Sequence, residues 1–177
     1  MSFTAHAVPR EAPDAPVAVL PRPGFFGAPG TDARLLTDAI QALEDRLRPG
    51  ALDVLVHQAL GWSVERRVVG VNGARRWMCR SRVSATWLPM PSPSRDLTAA
   101  RRLVPWRWSW GTGEHAGRPY AWVAETHPVA EGTAWFEAKA ATPELALLKA
   151  ALHAQRHLAL RALEQACSRY PDAPERR

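Results

Sequence analysis

The chain has 177 residues, of which 46% are hydrophobic and eight are tryptophan, and its formal net charge is +6. That length suits one domain of ordinary size, and the apolar content is enough for a core. Two cysteines far apart in sequence exclude a disulfide framework and indicate a reducing compartment. No apolar run approaches the roughly 20 residues that span a bilayer, and the N-terminus has no signal pattern. We therefore expect a cytoplasmic protein without a membrane partner.

Three segments are predicted along the chain. Residues 1–30 contain six prolines and little hydrophobic periodicity, which predicts a disordered, proline-rich arm. Residues 31–168 are predicted to form a single domain. Residues 169–177 are predicted to be a disordered tail.

The domain opens with two predicted helices. Thr31 is expected to cap the first, whose apolar stripe consists of Leu36, Ile40, Leu43 and Leu47. Pro49-Gly50 interrupts this pattern. The second helix is predicted over residues 52–60, with Gly61 directly after its end.

A β-hairpin is predicted next, around Asn72-Gly73. This dipeptide favours a two-residue turn because both positions tolerate positive φ. Such a turn pairs Val69 with Arg76 and Val68 with Trp77. A weaker third strand is predicted over residues 83–88.

A short helix is then predicted, capped by Ser94 and ended by Pro105. Three aromatic strands follow it. Alternation places the indoles of Trp106, Trp108 and Trp110 on one side of the first strand. In the second strand Tyr120, Trp122 and Ala124 share a side, and in the third Trp135, Glu137 and Lys139 oppose Phe136 and Ala138.

The last element is a long helix with Thr142 as N-cap and Pro143 in its first turn, extending to about Cys167. These elements together predict an α+β fold. The expected architecture is a layered α/β/α sandwich, with helices covering both faces of a mainly antiparallel sheet.

Several fragments of this chain resemble the phage ABA-sandwich domain proteins. They are residues 39–62, which end in Leu60-Gly-Trp62, then Trp87-Leu-Pro-Met-Pro91, residues 97–105, Trp108-Ser-Trp110 and residues 138–152. The resemblance implies a layered α/β/α domain of phage or prophage origin, placed in the cytoplasm of the bacterial host. It implies no catalytic residues, because members of that family are mostly without an assigned activity.

Catalytic and metal-binding patterns are weak in this sequence. His153 and His157 lie one helical turn apart, but the glutamate of a zinc protease is missing, so we expect a solvated helix face and no metal. Cys79 with His57 or His115 could form a nucleophile pair, yet strand alternation favours a buried, unreactive Cys79. The sequence therefore predicts neither an enzyme nor a cofactor.

Positive charge is concentrated in the middle of the chain. Ten arginines and only two acidic residues lie between Trp62 and Trp110. Arginine suits phosphate and carboxylate partners. The tryptophan row could stack bases, although we expect it to be mainly core, with the ends of the row exposed. The candidate nucleic-acid- or nucleotide-binding residues are Arg66, Arg67, Arg75, Arg76, Arg107, Trp106 and Trp110.

These features favour a phage-encoded accessory binding protein without catalytic activity, which contacts an anionic partner through an Arg/Trp surface. The partner could be a nucleic acid. Two alternatives stay open: a factor that sequesters a nucleotide or blocks a host defence protein, and a minor virion or assembly component. The oligomeric state is left open as well.

Overall fold

A computed structural model describes residues 31–71, 73–126 and 133–169. The helices are α1 Ala33–Glu44, α2 Pro49–Ala59, α3 Leu97–Arg101 and α4 Pro143–Arg169. The strands are β1 Ser63–Val69, β2 Ala74–Arg80, β3 Leu88–Pro89, β4 Trp108–His115, β5 Arg118–Glu125 and β6 Trp135–Lys139. The predictions of an arm over residues 1–30 and of a tail over residues 169–177 lie outside the described residues, except at Arg169, which is the last residue of α4.

The strands form two antiparallel sheets, with helices packed on them, which confirms the α+β class. The first sheet has the order β1-β2-β3 and the second has the order β4-β5-β6. The sequence predicted a single sheet, and the structure divides it into two.

Helix α4 is the centre of the core. On one side it packs against β5 and β6, and on the other side it packs against α1 and α3. Its fully buried residues therefore surround the helix instead of forming one stripe: Ala146, Leu147, Leu148, Ala150, Ala151, Leu152 and Ala154. The small alanines let neighbouring elements approach the helix axis closely, while the leucines fill the space between layers.

Two predicted helix caps are wrong by one or two residues. Asp32, not Thr31, caps α1, since its carboxylate accepts the backbone N–H groups of residues 34 and 35. Asp96, not Ser94, caps α3 by accepting the N–H of Thr98 at 2.8 Å. Ser94 is buried, and its N–H donates instead to Asp53 of α2 at 2.9 Å. In both cases the capping aspartate is the residue directly before the first helical residue, where its carboxylate can accept N–H groups of the first turn.

Helices α2 and α4 both begin at a proline. Helix α1 ends at Glu44 and α2 begins at Pro49, which confirms a break between two helices. Pro49 itself occupies the first turn of α2, where its missing N–H is harmless. At the start of α4, the hydroxyl of Thr142 accepts the N–H of Leu145 at 3.3 Å, which confirms the predicted cap.

The β1–β2 hairpin has a longer connection than predicted. Val69 pairs with Ala74, not with Arg76, and Val68 pairs with Arg75, not with Trp77. Four residues, 70–73, therefore connect the strands. Gly70 and Gly73 both have positive φ, 78° and 69°, which shows where the chain turns. A shift of two residues keeps every side chain on its predicted face.

Strand β4 begins at Trp108, so the tryptophan row is shorter than predicted. Arg107 has a φ of 66°, which breaks the alternation and leaves Trp106 outside the strand. Strand β3 is likewise reduced to Leu88–Pro89, because residues 83–87 have no strand partner.

No helix in the described ranges is both long and apolar enough to cross a membrane.

Candidate anion-binding surface

The β1–β2 hairpin carries the four predicted arginines as exposed side chains. Arg67 and Arg76 are directly opposite each other on one face of the sheet. Arg66 pairs with Trp77, and Arg75 pairs with Val68, so these two arginines lie on the other face. The hairpin therefore divides the predicted cluster into two pairs.

The face with Arg67 and Arg76 has a strong local excess of positive charge. Arg80 lies on the same face, four residues after Arg76 along β2. The carboxylate of Glu65 has an oxygen 4.0 Å from Nε of Arg67, and both side chains are exposed. Such an exposed ion pair contributes little to the free energy of folding. Like charges directly opposite in a sheet are destabilising, so a bound anion would stabilise this face.

Trp87 holds two of these guanidinium groups in place. The guanidinium carbon of Arg67 is 4.7 Å from the centre of the Trp87 ring, and that of Arg80 is 4.8 Å from it. Stacking on an indole leaves the N–H groups at the guanidinium edge free to bind oxygen atoms. We call Arg67, Arg76, Arg80 and Trp87 the arginine face.

The other three predicted site residues do not join the arginine face. Trp106 and Arg107 are exposed in the connection between α3 and β4. Trp110 packs against the core, and its ring is contacted by the guanidinium of Arg101 at 5.2 Å. With Trp108 buried and Trp106 exposed, the row is core at one end and solvent-facing at the other.

Arg80 and Trp87 carry no local sequence signal that predicts a binding site. Arg80 is one of ten arginines in the basic region, and Trp87 lies in one of the fragments that resemble the phage proteins. Their position follows from the pairing of Cys79 with Leu88, which brings the residue before β3 next to the end of β2. Alternation within one strand cannot show such a contact between strands.

Two clefts lined by described residues contain no tryptophan in their walls. The first, of about 870 Å³, lies between α1 and the end of α4 and includes Arg34, Arg82 and Arg156. The second, of about 790 Å³, lies between the first turn of α2 and the start of α4, and includes Arg118 and Lys149. A pocket combining Trp and Arg, which a sequestered nucleotide would need, is therefore not formed by either cleft.

The candidate catalytic and metal-binding residues are placed apart. Burial raises the pKa of Cys79 to about 11, which opposes thiolate formation. His57 donates through Nδ1 to the carbonyl of Asp53 at 2.8 Å, and His115 lies on the second sheet beside Tyr120. Within the described residues, no three His, Cys, Asp or Glu side chains are grouped as a metal site would require.

The prediction of a solvated face for His153 and His157 is wrong. Both rings are partly buried against Phe136 of β6, with ring centres 6.5 and 5.5 Å from it. They belong to the packing of α4 on the second sheet.

Comparison of the chain with protein families, curated proteins and solved structures gave no match. The resemblance to the phage ABA-sandwich proteins therefore stays a prediction from sequence.

Proposed function

We propose that this protein is an accessory binding protein that uses the arginine face to hold a nucleic acid, without carrying out chemistry of its own. The observation that carries this proposal is the direct opposition of Arg67 and Arg76, with Arg80 and Trp87 beside them. Phage or prophage origin belongs to the same proposal and rests on the sequence resemblance.

An extended polyanion fits this surface better than a small nucleotide does. The arginine face lies on a strand hairpin, not in a cleft, and Arg66 and Arg75 continue the positive charge around to the other face. A phosphate backbone can contact several such groups at once. A single nucleotide binds best in a concave pocket that buries it.

The test is fluorescence anisotropy of the full chain with a labelled oligonucleotide, repeated between 50 and 200 mM salt. Binding should weaken steeply with salt, because each arginine displaces counterions from phosphate. The double substitution Arg67→Gln with Arg76→Gln should weaken binding about tenfold at low salt and reduce the salt slope by about one to two units.

A matched control removes the same charge elsewhere. Arg34 on α1 and Arg102 at the end of α3 are both exposed, and Arg34→Gln with Arg102→Gln should leave most of the affinity. Equal loss in both double variants would show that only net charge matters and would reject the arginine face. Absent or salt-insensitive binding would reject a nucleic acid partner altogether.

A further inference from the structure

The second sheet has one face toward α4 and one face away from it. Trp108, Val123 and Ala138 are buried on the side of α4. Strand alternation places Trp122 and Trp135 on the opposite side. This opposite side is the aromatic face, which consists of Tyr120, Trp122, Trp135 and Glu137.

A stack of two indoles covers the centre of this face. The rings of Trp122 and Trp135 are 4.8 Å apart between centres and only 8° from parallel. Trp122 itself lies against the backbone of Gly111 on β4, since a Cβ added to Gly111 would be 2.6 Å from its Nε1. The stack therefore runs from the backbone of β4 through Trp122 to Trp135.

Trp135 is the exposed end of the stack and is held in one orientation. Half of its surface is accessible, 51%, although it packs on another ring. Its Nε1 donates to the carboxylate of Glu137 at 2.7 Å. This hydrogen bond, together with a second one from Tyr120, lowers the pKa of Glu137 and keeps it ionised as an acceptor. The indole is therefore oriented before any ligand arrives.

Positive charge borders the aromatic face at the end near Tyr120. Lys139 pairs directly with Tyr120, and Arg118 lies two residues before it on the same side of β5. Both side chains are exposed. A planar ligand with an attached anion would use the indole and the cations together, whereas an uncharged saccharide would use the indole alone.

We propose that the aromatic face stacks an unpaired base of a single-stranded nucleic acid on Trp135, with the phosphate backbone directed toward Lys139 and Arg118. This inference rests on the proposed function and narrows its partner to single strands, because bases inside a duplex are not available for stacking. Nucleotide binding was predicted at Trp106 and Trp110; the structure favours Trp135 instead.

The experiment compares a labelled 15-nucleotide oligodeoxythymidine with a duplex of the same length, using the full-length protein. Trp135→Ala should weaken single-strand binding about tenfold, as loss of one base–aromatic stack predicts, and leave duplex binding unchanged. Trp106→Ala is the matched control, since it removes an indole of similar exposure, 56%, away from this face. It should leave single-strand affinity unchanged.

A second variant changes the stack without removing an indole. Gly111→Ala introduces a Cβ where the Trp122 ring lies and should displace it, weakening single-strand binding and altering the near-ultraviolet circular dichroism of the coupled indoles. Gly113→Ala on the same strand meets open space and is the control.

The outcomes separate this inference from the proposed function. Binding that depends on Arg67 and Arg76 but not on Trp135, with equal affinity for single strand and duplex, would overturn the inference and keep the function. Binding that depends on Trp135 alone would keep the inference and overturn the role of the arginine face. Trp135-dependent binding of an uncharged oligosaccharide, without binding of the oligonucleotide, would overturn both.

Discussion

His57 belongs to a buried polar network that connects α2 to the segments after it. It is 5% exposed, donates to the carbonyl of Asp53 one turn earlier and meets the edge of Trp62 with ring centres 6.2 Å apart. Asp53 in turn accepts the N–H of Ser94, which joins α2 to the segment before α3. Each of these polar groups is buried, so each bond matters more than it would at the surface.

Stability should therefore depend on pH through histidine. Desolvation lowers the pKa of His57, and burial together with nearby Lys149 and Arg156 lowers that of His153. The unfolded chain takes up protons below about pH 6.5 while the folded chain resists them, so stability is full above that pH and falls below it. The nearly fully buried His57 can contribute up to about 1.4 kcal/mol per pH unit, and the partly exposed His153 contributes less because solvent screens its charge.

Urea unfolding at pH 8.0 and pH 5.5 measures this effect, in a range above the titration of ordinary carboxylates. The free energy of unfolding should be lower at pH 5.5, and His57→Gln should reduce the difference between the two values. Equal free energies of unfolding at both pH values would contradict the lowered pKa values of the buried His57 and the partly buried His153.

At the scale of an element, the two ends of helix α4 differ in burial. Its first part is buried from several sides, whereas all residues from 160 to 168 are exposed, including Leu163 at 57%. Helical spacing in the sequence places Leu152 and Leu163 on the same side of the helix. Periodicity identifies a face that could be buried but cannot show where the neighbouring elements end.

Leucine-to-alanine substitutions in the two parts of α4 should differ sharply. Leu152→Ala should cost about 2–5 kcal/mol, because a fully buried side chain is lost and a cavity remains. Leu163→Ala should cost less than about 0.5 kcal/mol, since alanine keeps the helix and little surface is uncovered. Thermal or urea unfolding of both variants is the measurement. A similar cost at Leu163 would mean that a partner or a second copy covers the end of α4.

At the scale of the whole molecule, the two sheets differ in how they pack against the helices. The β4-β5-β6 sheet lies on α4 and contributes Ala121 and Val123 to the core with no exposed surface. The β1-β2-β3 sheet meets the helices at α2, and most of its hairpin residues are exposed. Local opening requires less free energy where fewer apolar contacts are lost.

Hydrogen exchange followed by mass spectrometry should show this difference. In the free protein, backbone amides of β1 and β2, apart from those near the buried Cys79, should exchange well before those of β5. If the arginine face binds a nucleic acid, adding an oligonucleotide should slow exchange in the β1–β2 hairpin. Equal protection of both sheets in the free protein would contradict the proposed difference in attachment.

The sequence by itself determined the order of the main elements and the alternation of side chains within the strands. Alternation placed Trp135 and Glu137 opposite Phe136, and Thr142-Pro143 located the start of α4, because these signals depend on neighbours within a few residues. Only tertiary structure decided which faces were covered and which side chains met across strands. The approach of Trp87 to Arg67 and the seating of Trp122 on Gly111 depend on strand register. Register is set by turn length and long-range packing, which no local pattern records.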